Sequence, residues 1–271
     1  MNQQTTPNIT LFDLLARNWQ RPPGIRQIGF NDDDTLLAAV AEDGSIVFAR
    51  LADNEPPESR IVVDNGQTTI RPRAGRPSPL IITRLKGAGR ICRAAAGGFL
   101  AGNDKGELVR LSRAGEIADT VLSGSVPMTA FDHCSSTGMT AIAAANRLLL
   151  TADDASAPKA EAASGQSAPT MLRFSPEGTL LALAGVENLE LRRSNGQLTK
   201  LLDIPLPSTP VSLAWAADGR WLAVGTETGG LVLIDVPAGR HARLADFPGP
   251  VRSVGFSASA NALVAAGAYR T

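Results

Sequence analysis

The chain has 271 residues, room for one large domain or two small ones. Its 26 basic and 26 acidic residues cancel, so no global field exists to hold a long polyanion, and a general nucleic-acid binder is disfavoured. No segment approaches the roughly 18 consecutive apolar residues of a membrane-spanning helix, and Met1-Asn-Gln-Gln-Thr-Thr-Pro7 lacks the basic and apolar regions of a signal peptide.

Hydrophobic residues make up 44% and charged residues only 19%, and the apolar share is mainly Ala, Leu and Val, which suits small, tightly stacked sheets. Cys92 and Cys134 fall in different strand-like runs and have no partner at metal-ligand spacing, so both read as buried free thiols. Together these features lead to the expectation of a soluble, cytoplasmic protein.

Residues 1 to 24 form a prelude ending at Pro22-Pro23-Gly24. Its apolar residues Leu11, Phe12, Leu14, Leu15 and Trp19 fit either a short amphipathic helix or a strand followed by a turn. The first repeat follows as Ile25 to Phe30, a turn at Asn31 to Asp34, Leu36 to Val40, a turn at Glu42-Asp43-Gly44, and Ser45 to Leu51. Runs of this length between Asp- and Gly-bearing turns predict a strand meander. Arg60 to Asp64 is the candidate for its fourth strand. The Pro- and Gly-containing stretch 65 to 80 predicts an inserted loop, because proline cannot donate to a sheet ladder.

The second repeat runs from Arg90 to about Leu122, with its turn at Asn103-Asp-Lys-Gly106. The third comprises Pro127 to His133, Gly138 to Ala144 and Arg147 to Thr151, and residues 152 to 168 read as a surface loop. The fourth and fifth begin near Thr170 and Val211. A sixth begins at Val251 and reaches only its second strand by Ala266.

Behind these elements lies a fixed period. Phe174-Ser-Pro-Glu-Gly-Thr-Leu-Leu-Ala is echoed by Trp215-Ala-Ala-Asp-Gly-Arg-Trp-Leu-Ala, and Phe174, Trp215 and Phe256 stand 41 residues apart. A period in the low forties, filled by short strands and turns, is the signature of a β-propeller in which each repeat is one four-stranded blade. The expected architecture is therefore all-β: five complete or near-complete antiparallel blades over residues 25 to 271 and a partial sixth. Residues 8 to 15 could supply one closing strand, but the sixth repeat lacks two, so the sequence reads as part of a longer, seven-bladed ring; a six-bladed ring with one deficient blade is the alternative.

Phe174 to Ala182 and Gly229-Gly-Leu-Val-Leu-Ile-Asp-Val-Pro-Ala-Gly239 resemble the second-strand and third-strand halves of a WD-repeat unit. Asp235 matches the Asp of the family's Trp-Asp pair, with Ile234 in the Trp place; Ala49, Leu111 and Arg192 stand there in other repeats. The Gly-His pair of the family is missing, so its buried polar network cannot form in that version, and apolar packing is expected to hold the blades. The resemblance implies a non-catalytic scaffold with a protein or peptide partner. Carried onto this sequence, its docking positions are Arg26, Asp43, Asp104, Glu227 and Arg252.

Catalytic signals are thin. Gly87-Ala-Gly89 has only two glycines of a dinucleotide fingerprint and reads as a turn; Ser167 lacks the surroundings of a nucleophile elbow. His133 and His241 are far apart, and the run Asp32-Asp33-Asp34, which could suggest calcium, occupies the position of the hairpin turns Pro176-Glu177-Gly178 and Ala217-Asp218-Gly219. No cofactor or metal is expected. The alternative function is an enzymatic propeller of the lactonase, phytase or quinoprotein kind, which the Ala-, Val-, Gly- and Leu-rich inner strands disfavour. One further surface candidate is Arg71, Arg73 and Arg76, whose Pro-rich setting could dock an acidic partner or present an extended ligand.

Overall fold

The computed structural model describes residues 10–20, 23–124, 126–153, 160–163, 168–260 and 262–267. A one-turn helix, α1 (Leu11–Leu15), opens it. Thr10 and Asp13 cap each other reciprocally, Asp13 N donating to Thr10 Oγ1 at 3.2 Å and Thr10 N to Asp13 Oδ2 at 3.0 Å. This capping box turns 11–15 into a helix, so the strand expected over 8 to 15 does not form there; residues 8 and 9 lie outside the described residues.

The first sheet contains β1 (Ile25–Phe30), β2 (Leu36–Ala41) and β3 (Ser45–Arg50). An excursion then carries α2 (Pro57–Arg60) and the hairpin β4 (Ile61–Asp64) and β5 (Gln67–Ile70) before β6 (Ile81–Arg84) returns to pair with β3. The expected fourth strand at 60–64 is thus corrected to 81–84. Asn65 and Gly66, with φ of 48° and 78°, make a tight hairpin turn that gives 61–64 the partner 67–70 instead of β3. For the same reason the stretch expected as a loop over 65 to 80 contains a strand.

The second sheet holds β7 (Ala88–Arg93), β8 (Phe99–Asn103), β9 (Leu108–Leu111) and β10 (Ile117–Leu122). The third holds β11 (Met128–Cys134), β12 (Met139–Ala144), β13 (Arg147–Ala152) and β14 (Ala160–Ala163). That last strand falls inside the loop expected over 152 to 168, where Glu161, opposite Leu149 in the ladder, forms a diagonal ion pair with Arg147. The fourth sheet is β15 (Met171–Phe174), β16 (Leu180–Ala184), β17 (Asn188–Arg193) and β18 (Lys200–Pro205). The fifth is β19 (Pro210–Trp215), β20 (Trp221–Thr226), β21 (Gly230–Asp235) and β22 (Arg240–Asp246), and the sixth has β23 (Val251–Phe256) and β24 (Leu263–Gly267). Among the described residues the result is five four-stranded antiparallel blades and a two-stranded sixth.

Each interior blade buries both faces, which is why its middle strands read as continuous apolar runs. Phe99 and Ala101 of β8 pack on the first blade with Phe48 and Ile46, while Leu100 between them packs on the third with Phe131 and Ile142. In β16, Leu181 and Leu183 likewise face the third blade, and Ala182 and Ala184 face the fifth. The two-residue side-chain period of a strand therefore distributes alternate residues to opposite neighbours.

Two turns recur. At the outer hairpin of the first strands, Gly178 and Gly219 have φ of 71° and 67°, and Asp34 takes the same place in the first blade at 53°. Asp33 caps this turn through Thr35 and pairs with Arg113, and Asp32 lies 3.6 Å from Arg93, so the acidic run is a hairpin turn with its charges paired on neighbouring elements. The other recurrent turn carries Gly44, Gly106 and Gly229, all at positive φ. A Cβ at Gly106 or Gly229 would overlap the carbonyl oxygen of Val126 or Phe247, where the chain passes toward the next blade.

Candidate functional site

The inner strands β1, β7, β11, β15, β19 and β23 all contribute to one central cavity of about 740 Å³, lined among others by Arg26, Arg90, Phe131, Arg173, Ser212 and Arg252. A second cavity of about 810 Å³ lies toward the other end of these strands and is lined by Asp32, Asp132, His133 and Trp215 among others. The inner wall is tied together by hydrogen bonds between blades. Gln27 donates from Nε2 to the Ile91 carbonyl at 2.8 Å and accepts from the Ile91 N–H at 3.1 Å. Asp132 accepts from Arg173 Nη1 and from the Phe174 N–H, both at 2.8 Å. Trp215 Nε1 donates to the Arg173 carbonyl at 3.2 Å, and Ser212 Oγ to the Val251 carbonyl at 2.6 Å. Apolar packing is expected to be the main force between the blades; these hydrogen bonds supplement it.

The five expected docking residues come together at one end of the ring. Arg26 and Arg252 each stand second in an inner strand and line the first cavity. Asp43 and Asp104 lie in the turns after β2 and β8 and line a smaller adjoining cavity of about 370 Å³ with Arg26 and Arg90. Glu227 occupies the matching turn after β20, where its N–H donates to the Thr209 carbonyl at 2.8 Å, just ahead of β19. All five side chains are exposed. Asp43 also accepts from its neighbour Ser45, through N at 3.0 Å and Oγ at 2.5 Å, a local bond that shapes the turn.

The arginine trio does not gather there. Arg73 is held by Asp53 in a two-pronged pair, with Nη1 to Oδ1 at 2.8 Å and Nη2 to Oδ2 at 2.5 Å, and this guanidinium holds the Asp53 carboxyl far below the ordinary carboxylate range. It fastens the insertion, so Arg73 is engaged within the chain, while Arg71 and Arg76 are exposed. Arg60 and Arg17 complete this fastening: Arg60 donates to the carbonyls of Leu14 and Leu15, and Arg17 to those of Arg50, Leu51 and Ala52.

Sequence reasoning missed Arg90 and Arg173. Arg90 Nη1 donates to the Thr170 carbonyl at 2.9 Å, reaching from the second blade to the fourth. Desolvation in the cavity and, second, the charge of Arg173 lower its pKa. No local pattern marks either residue, because each sits in an ordinary strand and acquires its neighbours only through the ring. His133, in the other cavity, accepts or donates at Nδ1 with Thr140 Oγ1 at 3.0 Å, and burial holds its pKa below the usual histidine value against the opposing pull of Asp153. Cys92 and Cys134 are free and buried, and burial pushes the Cys92 thiol up. Among the described residues no group of three or more potential metal ligands occurs, and no helix is long and apolar enough to cross a membrane.

Residues 166–258 match the family described as the anaphase-promoting complex subunit 4 WD40 domain. The fold is a β-propeller, WD40-like over residues 166–258. Its fold is similar to that of a chain in a structure described as the crystal structure of the mitotic checkpoint complex, at a TM-score of 0.67 and 14% identity, over 92% of this chain and 73% of that one. As many as 1624 solved chains match, so the likeness fixes the fold and selects no partner. No curated protein matches this WD40-like propeller in sequence. In it the position of the family's Asp is filled by Asp235, whose carboxylate accepts from Arg220 at 3.3 and 3.0 Å and is held below its ordinary pKa by that guanidinium. Arg192, in the Trp place of the fourth blade, forms a buried pair with Glu190 at 2.7 Å.

Proposed function

We propose that this WD40-like propeller is a non-enzymatic, cytoplasmic interaction scaffold that receives a protein or peptide partner on the end of the ring carrying Arg26, Asp43, Asp104, Glu227 and Arg252. The observation that carries the reading is the convergence of Arg26, Asp43, Asp104 and Arg252, all exposed, on one central cavity and its adjoining recess, with Glu227 exposed in the equivalent turn of the fifth blade. A rigid ring end built from separate loops suits recognition, because the blades fix loop positions while the loop sequences remain free to vary. WD40 propellers in general bind protein partners. The cytoplasmic setting is supported by the two buried, unpaired thiols.

The test is a comparative affinity purification with mass spectrometry. A variant carrying Asp43→Lys, Asp104→Lys and Glu227→Lys is expected to lose partners that the parent retains, while one with Arg193→Glu, at the opposite end of the blade, keeps them. Equal recovery from all three proteins would remove the ring end from consideration.

A further inference from the structure

The central cavity has a charge distribution that the scaffold reading does not use. Arg26, Arg90, Arg173 and Arg252 line it, and no Asp or Glu does so among the described residues. Arg173 is neutralised by Asp132 from the side of the second cavity. Arg26, Arg90 and Arg252 have no carboxylate within 4.0 Å among the described residues, and Arg90 commits one donor to the Thr170 carbonyl, leaving the rest of its guanidinium free to bond. Three guanidinium groups thus face one recess without a carboxylate partner among the described residues.

We infer that this cavity is a binding site for a compact, multiply charged oxyanion of the phosphate class. Guanidinium groups present planar forks of donors that match phosphate oxygens. The cavity, at about 740 Å³, falls within the size range of small-molecule sites. The rim decides between a compact anion and an acidic peptide. Glu42, Asp43 and Asp104 line the adjoining recess together with Arg26 and Arg90, and an extended acidic chain crossing it would meet these three carboxylates as well as the two arginines. A compact anion that passes inside meets the arginines, the polar groups of Gln27, Thr170, Ser212 and Ser253 and apolar side chains, and no carboxylate among the described residues.

Isothermal titration of the full chain with inorganic tripolyphosphate tests the assignment. Saturable single-site binding is expected, weakening as salt rises. Arg26→Gln and Arg252→Gln, at exposed side chains with no ion pair among the described residues, should each weaken it at least about tenfold with unchanged thermal melting. Arg90→Gln should do the same. Arg113→Gln and Arg147→Gln, which remove the same charge outside the cavity, should leave the affinity within about twofold. Absence of saturable binding at millimolar ligand would overturn the inference, as would equal weakening by the control substitutions. Tighter binding of a hexaglutamate peptide that competes with tripolyphosphate would overturn it in favour of a peptide site. The partner-recovery experiment above reads the rim, so either reading can fail while the other stands.

Discussion

Asp132 on the third inner strand grips the fourth through Arg173: its two carboxylate oxygens accept from the Arg173 guanidinium and from the N–H of the next residue, Phe174, each at 2.8 Å. The carboxylate is nearly buried and Arg173 is partly exposed, so the backbone N–H is the partner that suffers most when Asp132 is lost. Asp132→Ala is expected to destabilise the protein by about 1–3 kcal/mol, the cost of an unsatisfied buried donor. Arg173→Ala should cost less, since solvent already reaches its guanidinium. Urea unfolding followed by tryptophan fluorescence would reveal the order, and an equal or reversed ranking contradicts this account.

The blade contact between Phe48 and Phe99 supplies a purely apolar comparison. Their ring centroids lie 5.6 Å apart and neither side chain is exposed. Phe48→Ala should lower stability by about 3–5 kcal/mol through lost burial and a residual cavity. Phe48→Leu, which fills most of the volume, is expected to lose markedly less in the same assay.

Gly106 and Gly229 should reject any side chain. Both lie at positive φ, and the Cβ of an alanine would strike a backbone carbonyl of the segment that continues toward the next blade. Gly106→Ala is predicted to cost at least about 1–2 kcal/mol from the left-handed conformation alone. Gly196, also at positive φ but with no atom near its Cβ position, separates the two effects: Gly196→Ala should show only the conformational penalty.

Stability should depend on pH through His133. Its folded pKa is depressed by burial, so the unfolded chain binds the proton first as pH falls below about 6.5, the ordinary histidine value. Between that value and the lower folded pKa, unfolding takes up a proton and stability declines with falling pH; above the window the contribution is fully present. Urea midpoints for the parent should therefore drop from pH 7.5 to pH 5.5 more than those of His133→Gln. Parallel curves would refute a neutral buried imidazole.

Asp53 and Arg73 hold the insertion and prelude rather than the ring. Asp53→Ala should open the segment 53 to 80 to protease while the propeller itself melts cooperatively at nearly the parent temperature. The same release is expected in acid for the parent, because the Asp53 carboxyl titrates far below its ordinary value and its contribution is lost only as pH falls from about 3.8 toward that folded value. Limited proteolysis with mapping of the first cut checks the variant.

The sequence by itself determined the repeat, the inner strands and the turns. Alternating burial and turn glycines are local requirements, so Phe174, Trp215 and Phe256 disclose their blades without reference to the rest of the chain. It also carried a signal for the hairpin at Asn65-Gly66, which a count of prolines and glycines across 65 to 80 obscured. Which strand completes a blade is a different matter: Ile81–Arg84 and Ala160–Ala163 are short and undistinguished, and they become strands because an open ladder edge lies beside them. The tertiary structure alone decided the candidate site. Arg26 and Arg252 are 226 residues apart in the sequence and share a cavity with Arg90 and Arg173 because the inner strands of successive blades converge on one axis. That convergence is a property of the ring, and no single repeat contains it.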